Sequence, residues 1–205
     1  MNTLKEHWNR IYQTRASSEM SWTQEVPKTS LDLIHKTGVT KQAAIIDIGG
    51  GLSSLVSHLI DLGFSQLSVV DISDIAIRKN RESLGERAKA VNWLVGDITD
   101  ISLPHDHFDV WHDRAVFHFL TEENKRLAYK KHLMQALKPG GWVILSTFST
   151  EGPEKCSGLS VVRYDENSLL KELGPRFKLG EVVRETHKTP WGVDQAFISI
   201  SARLS

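Results

Sequence analysis

The sequence predicts a doubly wound α/β domain with a mostly parallel sheet, finished by an antiparallel hairpin at its edge. Three observations predict it. Short apolar runs alternate with helical stretches, a glycine turn directly follows the first run, and the last two runs are joined with no helix between them. A parallel neighbour can be reached only through a helix-length crossover, and such crossovers are right-handed, whereas strands joined by a short loop must run antiparallel.

Leu4, Trp8, Ile11 and Tyr12 recur at helical spacing and give an amphipathic helix over 4–14, with Lys5, Glu6, Asn9 and Arg10 on its outer face. A polar loop over 15–19 precedes a second helix over 27–36, with Pro27 in its first turn and Gly38 just past its end. The Ile-rich run 43–48 reads as a buried strand, stops at Gly49-Gly50-Gly51 and leads into a helix over 53–62. A strand over 67–70 closes on Asp71, and Ser73 or Asp74 can cap the helix that runs on to Leu84. Strands follow over 92–95 and 108–112, then a long helix over 122–137 that Lys138-Pro139-Gly140-Gly141 breaks. A strand over 142–148, a helix over 166–173 and strands over 177–186 and 195–204 complete the chain.

With 205 residues, one domain is expected over 1–205, divided into a helical cap over 1–40 and a core over 43–204. Lys plus Arg equals Asp plus Glu at 25 each, so no global field gathers nucleic acid or anionic membrane. A single cysteine, Cys156, excludes an internal disulfide and fits a reducing compartment. The N-terminus carries no signal-like apolar region, and no apolar run reaches the roughly 18 to 20 residues that span a bilayer, so a cytoplasmic location is expected. None of the nine His falls in an H-x-x-x-H or H-E-x-x-H spacing, so no metal site is expected. Monomer is the default.

In a sheet of this kind a ligand binds beyond the carboxyl ends of the strands, where a glycine loop lets backbone approach it. A dinucleotide fingerprint needs a third glycine where Ser54 stands. Asp71 ends the second strand, 24 positions beyond Asp47, where a carboxylate can accept two hydrogen bonds from a ribose diol, a feature that fits NAD and S-adenosylmethionine equally. Gly96-Asp97-Ile98 adds a second acid at the end of the third strand, suited to an adenine amino group with Ile98 beside the ring, and favours an adenosine over a dinucleotide.

In order and spacing, Ile45-Ile46-Asp47-Ile48-Gly49-Gly50-Gly51, Val70-Asp71-Ile72, Gly96-Asp97-Ile98 and Leu137-Lys138-Pro139-Gly140-Gly141 resemble the class I S-adenosylmethionine-dependent methyltransferases. The resemblance covers roughly residues 43–204 and implies a Rossmann-like sheet of seven strands. It also implies S-adenosylmethionine as cofactor and S-adenosylhomocysteine as product. Asp47, Gly49, Gly50 and Gly51 would lie beside the methionine portion, Asp71 and Ile72 at the ribose, and Gly96, Asp97 and Ile98 at the adenine. Ser53 departs from the family's third glycine and can cap the following helix.

On the acceptor side, the run from Phe108 to Phe119 places Asp113, Arg114 and His118 where the fourth strand should end beside the cofactor, facing the cleft. Its D-R-A-x-x-H arrangement is similar to the D-R-G or D-K-G segments of thiopurine, thiol and halide methyltransferases and of some protein-lysine methyltransferases. Methyl transfer needs an aligned, unprotonated nucleophile and little else, so His118 or Asp113 is a candidate base and Arg114 a candidate catalytic cation. The competing readings are a buried His118 bonded to backbone and an Arg114 paired with Asp113. The glycine-rich stretch over 146–159 is placed to shape an acceptor pocket with Cys156, and His187 and Trp191 in the 187–195 loop can close it. Inert packing for Cys156 and a plain hairpin loop for the other two are the alternatives. His7-Trp8-Asn9-Arg10-Ile11-Tyr12 and Ser21-Trp22 resemble the aromatic segments that precede this fold in small-molecule and lysine methyltransferases, which implies Tyr12 and Trp22 as a lid.

The expected activity is methyl transfer to sulfur or nitrogen of a small molecule. The alternatives are a protein-lysine acceptor and a non-catalytic S-adenosylmethionine-binding scaffold. Six Trp and the implied lid favour the small acceptor, while no basic run and no N-P-P-Y or D-P-P-Y segment suggests a nucleic-acid partner.

Overall fold

The computed structural model describes residues 3–205, and seven of its strands form one sheet. They are β1 (Ala44–Ile48), β2 (Gln66–Asp71), β3 (Val91–Val95), β4 (Phe108–Arg114), β5 (Leu137–Phe148), β8 (Phe177–Lys188) and β9 (Asp194–Leu204). A separate two-stranded ribbon pairs β6 (Lys155–Cys156) with β7 (Leu159–Ser160). The order across the sheet is β3-β2-β1-β4-β5-β9-β8. The first five strands are parallel, and β9 enters antiparallel between β5 and β8.

Helices cover both faces: α2 (Lys28–Lys36), α3 (Leu55–Asp61) and α4 (Asp74–Leu84) on one, α5 (Glu123–Ala136) and α6 (Glu166–Leu173) on the other. The alternation of β1 shows why. Ala44, Ile46 and Ile48 join the α5/α6 core, Ile45 joins the α2/α3 core, and all are at most 2% exposed. On β4, Trp111 takes the α5 side and Val110 the α2 side.

The first helix, α1 (Leu4–Thr14), starts with a capping box in which Thr3 and Glu6 satisfy each other's backbone N–H groups. It docks on the start of α4. Asn9 accepts from Ser73 Oγ at 2.6 Å and donates to Asp74 at 3.1 Å, and Lys79 reaches the Tyr12 carbonyl.

Some boundaries differ from those the sequence predicts. Helix α3 begins at Leu55, whose N–H is accepted by Ser53 Oγ at 3.1 Å. Pro27 stands ahead of α2 at its cap position. The Lys138–Gly141 segment belongs to β5, where Gly140 at φ +77° and a register shift opposite Phe108 and Val110 absorb the extra residues. The ribbon β6/β7 orders part of the 146–159 stretch, read in sequence as a loop.

A buried chain of donors ties α5 to β4. Trp111 Nε1 donates to Tyr129 Oη at 2.7 Å, and Tyr129 Oη donates to Asp113 Oδ2 at 2.7 Å. Removing the hydroxyl leaves a buried indole N–H and a buried carboxyl short of a partner. Tyr129→Phe is therefore expected to lower unfolding free energy by about 2 to 4 kcal/mol in urea titration, with the fold retained.

Candidate active site

The cleft opens beyond the carboxyl ends of β1 and β4, which are neighbours although β1 feeds β2 and β4 feeds β5. Register sets Asp47 opposite His112 on the face covered by α2. Asp47 Oδ1 lies 2.7 Å from His112 Nδ1, and His112 Nε2 lies 2.8 Å from Ser30 Oγ, all three residues being buried. Asp47 Oδ2 is buried without a hydrogen-bond partner among the described residues. Asp47, His112 and Ser30 line a recess together with Gly49, Gly50, Tyr12, Trp22 and Arg114.

The glycine turn between β1 and α3 leaves no room for side chains. Gly49 has φ +69°, and a Cβ there would overlap Val116 Cγ2. A Cβ on Gly51 would strike Asp71 and Ala76. Gly51 N–H instead donates to Asp71 Oδ2 at 3.0 Å, and Ser73 N–H donates to Asp71 Oδ1 at 2.8 Å. Burial pushes the Asp71 carboxyl up to about 6, against the pull of these two donors. At the end of β3, Asp97 Oδ1 accepts from the N–H and hydroxyl of Thr99 at 2.8 and 2.7 Å.

These strand ends border a larger cavity. Gly49, Asp71, Ile72, Gly96, Asp97 and Ile98 line one side. Arg114, Ala115, Val116, Phe119 and Cys156 line another, and Leu4, Trp8, Tyr12 and Trp22 come from the N-terminal segment. That segment is an aromatic cluster, with Trp8 at 5.7 Å from Trp22 and 5.1 Å from Phe119, centroid to centroid.

A family model described as a methyltransferase domain matches residues 46–143, which hold the glycine turn and the ends of β1 to β4. The motifs that resemble the class I S-adenosylmethionine-dependent methyltransferases lie largely within that match, which covers just under half of the chain. The chain is similar to the human "EEF1A lysine methyltransferase 2", 24% identical over 191 residues that cover 86% of this chain and 79% of that protein. The mouse "eEF1A lysine and N-terminal methyltransferase" is 26% identical over 121 residues, 58% of this chain but only 17% of that protein. The chain thus matches about a fifth of the length of such larger relatives. A solved structure described by the conversion of a disulfide bond into a thioacetal group during echinomycin biosynthesis superposes with TM-score 0.80 at 18% identity, covering 99% of this chain and 93% of that one. A Burkholderia thailandensis 1,6-didemethyltoxoflavin N1-methyltransferase does so with TM-score 0.69 at 16% identity, covering 98% and 84%.

The residues of the cleft fit S-adenosylmethionine. The orphaned Asp47 oxygen suits the ammonium of its methionine portion, the glycine turn admits its backbone-close approach, and Asp71 and Asp97 offer acceptors for ribose hydroxyls and the adenine amino group. When bound, S-adenosylmethionine supplies an electrophilic methyl group on a sulfonium.

The residues on the other side of the cleft divide by strand parity. Arg114 reaches the cavity, donates to the Trp22 carbonyl at 2.9 Å and stacks 4.6 Å over the Phe197 ring. Its Nε and second terminal nitrogen are buried without partners among the described residues, and burial lowers its pKa to about 10. Asp113 points the other way, toward α5. Its oxygens accept from Tyr129 and from the N–H groups of Val116 and Phe117, and burial lifts it to about 6. It therefore fixes the turn over 115–119 from beneath and does not line the cavity or pair with Arg114.

His118 is fully buried below the cavity. Its Nδ1 accepts from the Phe148 N–H at 3.3 Å, and burial, with Arg114 nearby, lowers its pKa to about 3. His187 lies in β8 and donates to the Ser21 carbonyl at 2.6 Å, which places it as a strut for the Trp22 segment behind the wall. Trp191 is 56% exposed at the hairpin tip, outside the cavity, because β8 and β9 pair further than the sequence predicts and carry the loop away. Cys156 does line the cavity, with burial raising its thiol. Trp8, Phe119 and Leu4 are lining residues that the sequence reading did not select, although Trp8 sat in the helical stripe.

Ala115 holds φ +67°, the position where similar segments have glycine. Ala115→Gly is expected to raise unfolding free energy by about 1 kcal/mol, read by urea titration, because the left-handed conformation costs alanine that much. For Asp71, the folded carboxyl titrates near 6 against 3.8 unfolded, so the folded state holds the proton more tightly and loses stability as pH rises through that window. The unfolding free energy of Asp71→Asn should accordingly gain on that of wild type as pH rises from about 4 to 7, while its affinity for S-adenosylhomocysteine at neutral pH falls about tenfold or more by calorimetry.

Proposed function

We propose that this protein is an S-adenosylmethionine-dependent methyltransferase that acts on a sulfur or nitrogen atom of a small, largely apolar acceptor that arrives with its lone pair free. The observation that carries the reading is the character of the acceptor wall: Arg114, Ala115, Phe119 and Cys156 under a roof of Trp8, Tyr12 and Trp22. The carboxylates that line the cavity, Asp71 and Asp97, stand at the ends of β2 and β3, on the adenosine side. A lysine ammonium would enter beside a guanidinium and find no base next to it, whereas a thiolate, thioether or neutral ring nitrogen is attracted or indifferent.

Transfer then depends on alignment and the exclusion of water, which aromatic walls provide. Tyr12 and Cys156, both with raised pKa values, stay protonated at neutral pH and offer polar edges without acting as bases.

A second reading, a protein-lysine acceptor, is favoured by the names of the curated relatives. One assay separates them. Purified protein with S-adenosylmethionine is presented with aromatic thiols, thioethers and nitrogen heterocycles, and in parallel with eEF1A, and methylated products are read by mass spectrometry. Methylation within the small-molecule set and none on eEF1A is expected; lysine methylation alone would overturn the proposal.

His118→Asn keeps an acceptor for the Phe148 N–H and is expected to leave kcat within about threefold, since an imidazole whose pKa burial lowers to about 3 is too weak a base to take the acceptor's proton. A loss of about a hundredfold with unchanged cofactor affinity would instead mark His118 as the base.

A further inference from the structure

Beneath the methionine end of the cleft, Ser30, His112 and Asp47 form a buried relay drawn from three elements, α2, β4 and β1. A carboxylate only accepts, so the network assigns the His112 proton to Nδ1, donated to Asp47 Oδ1, and leaves Nε2 to accept from the Ser30 hydroxyl. Every polar atom of the relay is satisfied except Asp47 Oδ2, which is buried and lacks a partner among the described residues. Asp113, by contrast, has both oxygens satisfied.

We infer that His112 and Ser30 are positioning residues that fix the Asp47 carboxylate with Oδ2 offered to a primary ammonium, and thereby make the site selective for ligands that carry an amino-acid end. The inference rests on the adenosylmethionine reading of the cleft. Strand register makes the arrangement rigid: Asp47 and His112 are directly opposed on adjacent parallel strands, and α2 closes over both. Without the Nδ1–H donor, Asp47 is free to turn, which moves the acceptor away from the ammonium. The connectivity is also that of a Ser-His-Asp nucleophilic triad, so the test must separate an oriented acid from an activated serine.

The test is calorimetric titration with two probes that share the adenosine and differ at the other end: S-adenosylhomocysteine, which has the ammonium, and methylthioadenosine, which lacks the amino-acid portion. In His112→Leu, affinity for S-adenosylhomocysteine is expected to fall about tenfold or more, with methylthioadenosine unchanged within about twofold. Ser30→Ala, a milder change that keeps the packing, is expected to show the same selectivity at about threefold, and His112→Gln, which restores an N–H donor, to recover part of the loss. Equal loss for both probes, or no loss for either, overturns the inference. So does covalent labelling of Ser30 by a fluorophosphonate, which would show that the relay activates the serine. Wild type that binds neither probe removes the adenosyl reading itself, and the inference with it.

Discussion

The sheet divides between β1 and β4. From β1 the chain winds outward through β2 to β3, and from β4 it winds the other way to β5, so the loops leaving these two neighbours part and leave a crevice above them. Each feature of the site depends on that parting. Asp71 and Asp97 line one cavity and Asp47 the recess beside it, with Ile48, Gly49 and Arg114 bordering both. The N-terminal segment then has a hollow to roof, and its Trp and Tyr side chains bury apolar surface by covering it.

The second constraint is the twofold alternation of β4. Along Trp111-His112-Asp113-Arg114 the side chains go in turn to the α5 face and the α2 face. One pair, Trp111 and Asp113, is locked together by Tyr129 and gives the strand end a rigid base. The other pair, His112 and Arg114, serves the cleft. Asp113 also holds the Val116 and Phe117 N–H groups, which fixes the turn carrying Ala115, Val116 and Phe119 into the cavity wall. A residue that never touches the cavity thereby sets the shape of one side of it.

Most of the scaffold was legible because its signals are local. Ile-rich runs, the triple glycine and the Ser73 cap each declare an element within a few residues. Asp71 and Asp97 were legible as strand-end acids too, and they line one cavity. The acceptor side was less so. Grouping Asp113 with Arg114 in the cleft ignored that adjacent residues of a strand face opposite ways. His112 lay in the same quoted run, but its pairing with Asp47 depends on the register of two strands far apart in sequence, and with Ser30 on how α2 docks. Trp191 illustrates the other limit. A loop's position depends on where its flanking strands stop pairing, and β8 and β9 continue to Lys188 and Asp194.

The account stands most directly on a crystal structure of the protein with S-adenosylhomocysteine. It predicts the ribose hydroxyls on Asp71, the adenine beside Asp97 and Ile98, the ammonium on Asp47, and open space left between the sulfur and the wall of Arg114, Phe119 and Cys156. A ligand lying outside this cleft, or one whose sulfur is sealed from that wall, would contradict it.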